Sequence, residues 1–109
     1  MDSILTSIKK LLGIEEEYTQ FDADILMHIN TVFLNLNQLG VGPEEGFLLE
    51  NETDTWEDFI GDSNQLQAVK TYVYLKVKLL FDPPLSSSVV ESMERMISEL
   101  EWRLNVAVD

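Results

Sequence analysis

The sequence contains no cysteine, which removes disulfides, thiolate metal sites and cysteine nucleophiles in one step. It contains one histidine, His28, so a zinc centre or a Ser-His-Asp triad would rest on a single imidazole. Cations are scarce too. Seven Lys and Arg stand against twenty Asp and Glu, a formal net charge of −13, and a surface of that sign opposes free binding to nucleic acid through phosphate contacts. No apolar run approaches the ~20 residues that span a bilayer, and Met1-Asp2-Ser3 lacks the basic start and long apolar stretch of a signal peptide. No Walker loop, GxGxxG or HExxH occurs. These absences predict a cytosolic protein that is not an enzyme and needs neither cofactor nor metal.

What is present suits one small folded domain over residues 1–109. Hydrophobic residues make up 45% and charged residues 25%, enough apolar material to exclude a disordered tail. A first helix is predicted from Asp2 to Leu12, with Ile4, Leu5, Ile8, Leu11 and Leu12 at helical spacing. Asp2 or Ser3 would cap it, Lys9 and Lys10 would suit the negative end of its dipole, and Gly13 would stop it. A second helix runs from about Asp22, a natural cap, to Leu39. Its stripe is Ile25, Leu26, Ile29, Val32, Phe33 and Leu36, with Met27 and Leu34 on the opposite side. A third, about Ser63 to Phe81, is apolar around most of its circumference (Leu66, Val69, Tyr72, Val73, Leu75, Val77, Leu79, Leu80), so it should be central. Its wetter strip carries Lys70 and Lys78, and Asp82-Pro83-Pro84 ends it. A fourth opens at Ser86-Ser87-Ser88 and runs to about Asn105, with Val89, Val90, Met93, Ile97, Leu100 and Leu104 facing the core and Trp102 facing away. The fold class is therefore all-α, a bundle of about four helices.

Between the second and third of these helices lies a long acidic loop, about residues 40–62. Glycine and proline punctuate it, and eight acids with no base fall between Glu44 and Asp62. Phe47-Leu48-Leu49 could form a short strand. Thr55 with Asp58 three residues on has the form of a capping box, so 55–60 reads as one helical turn with Trp56 and Phe59 inward. Charge divides along the chain. Residues 1–62 hold fourteen acids and two lysines, net −12, and residues 63–109 hold six acids and five bases, net −1.

Each candidate site has an ordinary alternative. Glu50-Asn51-Glu52-Thr53-Asp54 alternates acids like a calcium loop, but the glycine and glutamate needed at the sixth and twelfth positions are Thr55 and Gly61. The pairs Asp22/Asp24 and Glu57/Asp58 have no nucleophile or pocket signature beside them. His28 flanks an apolar stripe, the usual place for a half-buried histidine. Met27, Leu34 and Trp102 are apolar residues on wet faces. A neighbouring element covers them, they are ordinary exposed residues, or they anchor a protein partner, and tryptophan is enriched in that last role.

The ordered set Ile4-Leu5-Thr6-Ser7-Ile8-Lys9-Lys10-Leu11-Leu12-Gly13-Ile14, Phe21-Asp22-Ala23-Asp24-Ile25, Leu39-Gly40-Val41-Gly42, Trp56-Glu57-Asp58-Phe59-Ile60 and Tyr72–Lys78 closed by Phe81-Asp82-Pro83-Pro84 resembles the small head–tail connector, or adaptor, proteins of long-tailed bacteriophages. The resemblance implies a helical subunit of a twelve-fold ring beneath the portal protein. Such a ring extends the DNA channel and is a docking platform for a head-closure or tail-completion protein. It places the chain in the virion, and in the host cytoplasm during assembly, with DNA passing unbound and no membrane involved. By position, the portal-binding segment would be 99–109, with Trp102, Arg103, Leu104, Asn105 and Val106. The channel-facing residues would be Glu44, Glu45, Glu50, Glu52 and Asp54 of the loop. Lys70, Lys78, Met27 and Leu34 would meet neighbouring subunits, the lysines against a neighbour's acidic loop. An acidic inhibitor or DNA mimic that sequesters a basic host protein is the alternative from another class.

Overall fold

A computed structural model describes residues 3–61 and 63–108, the last two as backbone. Asp2 as a cap, Asp62 of the loop and Asp109 of the C-terminal segment lie outside the described residues. The described chain is all-α, with helices α1 (Ile4–Leu11), α2 (Asp22–Gln38), α3 (Trp56–Ile60), α4 (Leu66–Phe81) and α5 (Ser87–Val108). Phe47–Leu49 is not a strand; among the described residues the β pairing is an isolated antiparallel bridge between Ser3 and Thr55. Helix α4 packs on both α2 and α5, and α1 closes against α2 and α4. Helix α4 is thus central because its apolar surface has neighbours on more than one side.

The short α1 holds because both its ends are satisfied. Ser3 Oγ accepts from Thr6 N at its start. At its end Gly13 (φ 84°) turns the chain, Gly13 N donates to Lys10 O, and Ile14 N donates to Lys9 O. That pair of bonds is a Schellman motif. The same device ends α2, where Gly40 N bonds Asn37 O and Val41 N bonds Leu36 O. Ile4, Leu5 and Ile8 of α1 are buried with Ile25, Ile29, Val32 and Leu36 of α2 and Val69, Tyr72, Val73 and Val77 of α4.

Lys9 lies in the last turn of α1 as its dipole role expects, but its side chain is also turned inward. Its side chain is 3% exposed. Its ammonium donates to Glu16 O at 3.0 Å and Tyr18 O at 2.8 Å, and pairs with Asp22 Oδ1 at 2.8 Å. Asp22 accordingly does not cap α2. Phe21 occupies the cap position without a side-chain bond, because the Asp22 carboxylate is drawn back to the buried cation.

Three stripe residues also come out in water: Leu11 is 52% exposed at the end of α1, and the other two flank the α4–α5 connection. Leu80 is 50% and Val89 46% exposed, since each lies near the α4–α5 turn, where the chain passes out over Asp82-Pro83-Pro84. Leu85 in that turn is wholly exposed. Removing one member of a buried ion pair strands the other. Lys9→Ala is therefore expected to destabilise the fold by about 3–5 kcal/mol, read from urea unfolding; an unchanged midpoint would show that the ammonium is dispensable.

Candidate partner-docking surfaces

The segment from Leu39 to Gln65 is long, yet its inner side is part of the core. Val41, Leu49, Trp56 and Phe59 are buried, and Phe47 packs against them. Phe59 stacks on Phe33 of α2 at 4.3 Å and 6°, and Phe47 meets both rings edge-on. Gly42 (φ 88°) makes room for that stack, because a Cβ there would lie 2.6 Å from Phe59 Cε1. Asn30 of α2 grips the peptide of Leu49 with both ends of its amide, accepting from Leu49 N at 2.7 Å and donating to Leu49 O at 3.0 Å. Asn37 donates to Pro43 O and Glu44 O. The Thr55/Asp58 capping box is formed, and Trp56 Nε1 donates to Ser7 Oγ at 2.8 Å. Charge then sorts by side: Glu44, Glu45, Glu50 and Glu52 are exposed. Asp54 is half-buried and differently used. Its Oδ2 accepts from Glu50 N at 2.8 Å and Asn51 N at 3.4 Å, so its carboxylate closes the turn. Among the described residues no three His, Asp or Glu side chains are grouped to hold a metal ion.

The C-terminal helix combines fixed and free side chains. Leu104 is buried in the core, and Asn105 Nδ2 donates to Leu39 O at 3.3 Å, tying the end of α5 to the end of α2. Trp102, two residues before Leu104, is 67% exposed, and Val106 one turn on is 50% exposed. Arg103 pairs with Glu99 on the surface at 2.7 Å. Beside this face a shallow groove of about 280 Å³ runs between α4 and α5, past Ala68, Met96 and Leu100. A partner approaching here meets Trp102, Arg103 and Val106; Leu104 is already taken up by the core.

The residues expected at subunit contacts fall into two groups. Met27 and Leu34 are 59% and 67% exposed on the outer side of α2. Lys78 is held by Asp82 at 3.0 Å, and Lys70 Nζ lies 5.8 Å from the centre of the Trp56 ring. His28 is half-buried, with its ring 6.4 Å from that of Phe81.

Two arrangements escaped the sequence reading. Tyr18 and Phe21, in the α1–α2 connection, form an exposed aromatic pair; connections carry no periodicity to flag them. The second joins α4 to α5: the fully buried Tyr72 donates its hydroxyl to Glu101 Oε2 at 2.8 Å, with Lys76 Nζ 3.9 Å from the same oxygen. Burial first, then the hydrogen bond and negative charge of Glu101, pushes the Tyr72 phenol above the usual tyrosine range.

A phenol raised on folding contributes stability that is complete below the unfolded value of roughly 10 and is lost as pH climbs through the folded value. Between pH 8 and pH 11 the wild type should therefore lose more stability than Tyr72→Phe, measured as urea midpoints. Equal losses would mean that Tyr72 is not the group responsible. At Gly42, substitution by Ala meets both positive φ and the Phe59 ring. It is expected to cost about 1–3 kcal/mol and more than Gly46→Ala, where φ is 93° but nothing lies within 4 Å.

A family model described as phage connector protein matches residues 4–109. No curated protein and no solved structure matches the chain.

Proposed function

This chain belongs to the phage connector protein family, and from that premise we propose that it is the structural adaptor between a portal and the parts that close the head. A connector is a component of the virion, and no helix among the described residues is long and apolar enough to cross a membrane. In the proposed assembly, copies form a ring, twelve in number, that continues the DNA channel beneath the portal and offers a platform to a head-closure or tail-completion protein. The role is mechanical and non-catalytic.

The observation that carries this reading is Trp102. It stands two-thirds exposed on a helix end that is itself fixed on two sides, by Tyr72–Glu101 and by Asn105–Leu39. A large rigid ring in water on an immobile support has the properties of a binding anchor. We assign the portal contact to Trp102, Arg103 and Val106. Met27 and Leu34 supply the apolar contact between neighbouring subunits. Lys70 and Lys78 would add charge there only on top of their present contacts with Trp56 and Asp82.

The loop acids suit the channel. Glu44, Glu45, Glu50 and Glu52 are exposed on a segment locked to α2 by Asn30 and Asn37, so their charge would stay in place while DNA passes. Fixed negative charge repels phosphate and lets the duplex slide without sticking.

The test is co-sedimentation of the protein with the portal ring encoded beside it. Saturable binding at near-physiological salt is expected. Trp102→Ala should weaken it by about thirty-fold, the size of a hot-spot loss, with the urea midpoint unmoved. No binding by the wild type would overturn the adaptor role, and undiminished binding by the variant would move the portal contact elsewhere.

A further inference from the structure

At the junction of α2 and α4 an aromatic cluster is packed on its inner side by Phe81 and left in water on its outer side. Tyr18 is 46% and Phe21 36% exposed. Their rings lie 5.7 Å apart, and Phe21 meets Phe81 edge-on at 5.4 Å. The segment that displays them is held unusually firmly. The Lys9 ammonium takes the carbonyls of Glu16 and Tyr18 and the carboxylate of Asp22, and the Tyr18 hydroxyl donates to Gln20 Oε1 at 2.6 Å. A connection that only had to join α1 to α2 would need no buried charge beneath it. Here that charge keeps two aromatic rings in fixed positions in water. Rings ordered before contact lose little entropy on binding, which favours them as anchors.

Charge identifies the occupant. Glu17 adjoins Tyr18, Asp24 follows Phe21 by one turn, and both are exposed. Asp82 adjoins Phe81 and holds Lys78. Aromatic faces attract cations and the carboxylates on the rim do so at longer range. A guanidinium satisfies both, because it stacks flat on a ring and forks onto a carboxylate, whereas an ammonium does neither as well. We propose that this patch docks an arginine-bearing segment of a different protein, with the guanidinium against Tyr18 and Phe21 and the rim carboxylates as its counter-charge. The site stands apart from the proposed portal contact at Trp102 and borders Met27 and Lys78, since Asp82 holds Lys78.

The probe is the peptide acetyl-Gly-Arg-Gly-Arg-Gly-amide, titrated into the isotope-labelled full chain at 0.15 M salt and followed by amide NMR. Shifts are expected to concentrate at residues 17–24 and 78–82. Tyr18→Ala should weaken binding about five-fold, one cation–π contact, whereas Tyr18→Phe, which keeps the ring, should bind within about two-fold of wild type. Glu17→Gln with Asp24→Asn should weaken it more than Glu44→Gln with Glu45→Gln, which removes the same charge elsewhere; that comparison stands even if Tyr18→Ala disturbs the loop. Three results would overturn the proposal. Shifts could spread over the whole acidic surface, and the two double variants could weaken binding equally. Or the 17–24 amides could shift with protein concentration alone, which would make the occupant a second copy of this chain.

Discussion

The ammonium of Lys9 lies almost out of water between α1 and the start of α2, and three oxygens surround it. Two are backbone carbonyls from a stretch carrying Glu15, Glu16 and Glu17, and the third is the carboxylate of Asp22. A buried cation tolerates few arrangements, because any recipient that moves away leaves charge uncompensated in a poorly polarisable interior. The α1–α2 connection is therefore fixed by electrostatics rather than by its own apolar content, which is small. With it are fixed the angle at which α1 meets the bundle and the first turn of α2. The −12 half of the chain is folded around one of the two cations it owns.

The same logic, with an amide in place of a charge, holds the other long connection. Asn30 supplies to Leu49 the two hydrogen bonds that a neighbouring strand would have supplied, so Leu49 is held against α2 without a sheet. Leu49 can then be buried without orphaning its own peptide. The acidic segment becomes a layer with an apolar underside and a charged top. Its carboxylates sit on a fixed support.

What could be read in advance follows from what has a period. The spans of α2, α4 and α5, the inward Trp56 and Phe59, the Thr55/Asp58 box and the outward Met27, Leu34 and Trp102 all follow from spacing along a helix or from a four-residue signature. The wheel failed at Leu11, Leu80 and Val89, because a stripe gives direction around the axis but not the length over which a neighbouring helix persists. The Lys9–Asp22 pair was missed for another reason. Both have plausible local duties, dipole and cap, and the contact that overrides them spans thirteen residues. Asn30 with Leu49, and Tyr72 with Glu101, are likewise long-range and polar, and nothing in the local pattern marks them.

The topology sets the two exposed aromatic surfaces apart. Helices α2 and α4 run antiparallel, since Phe21 at the start of one meets Phe81 at the end of the other. Helix α5 returns beside α4, so that Glu101 reaches Tyr72 and Asn105 reaches the end of α2. Trp102 thus lies toward one end of the bundle and Tyr18 with Phe21 at the other. The sixteen residues of α4 between those ends make a rod of about 24 Å. Both surfaces are braced by polar bonds, one by the buried Lys9 ammonium and the other by Tyr72 in the core and Asn105 on the surface. Neither needs the bundle to change shape before it is occupied. The level of Tyr72, beside which Trp102 stands, is nine residues of α4 from Phe81, about 14 Å at 1.5 Å per residue, so the packed helices hold the two surfaces at a set separation.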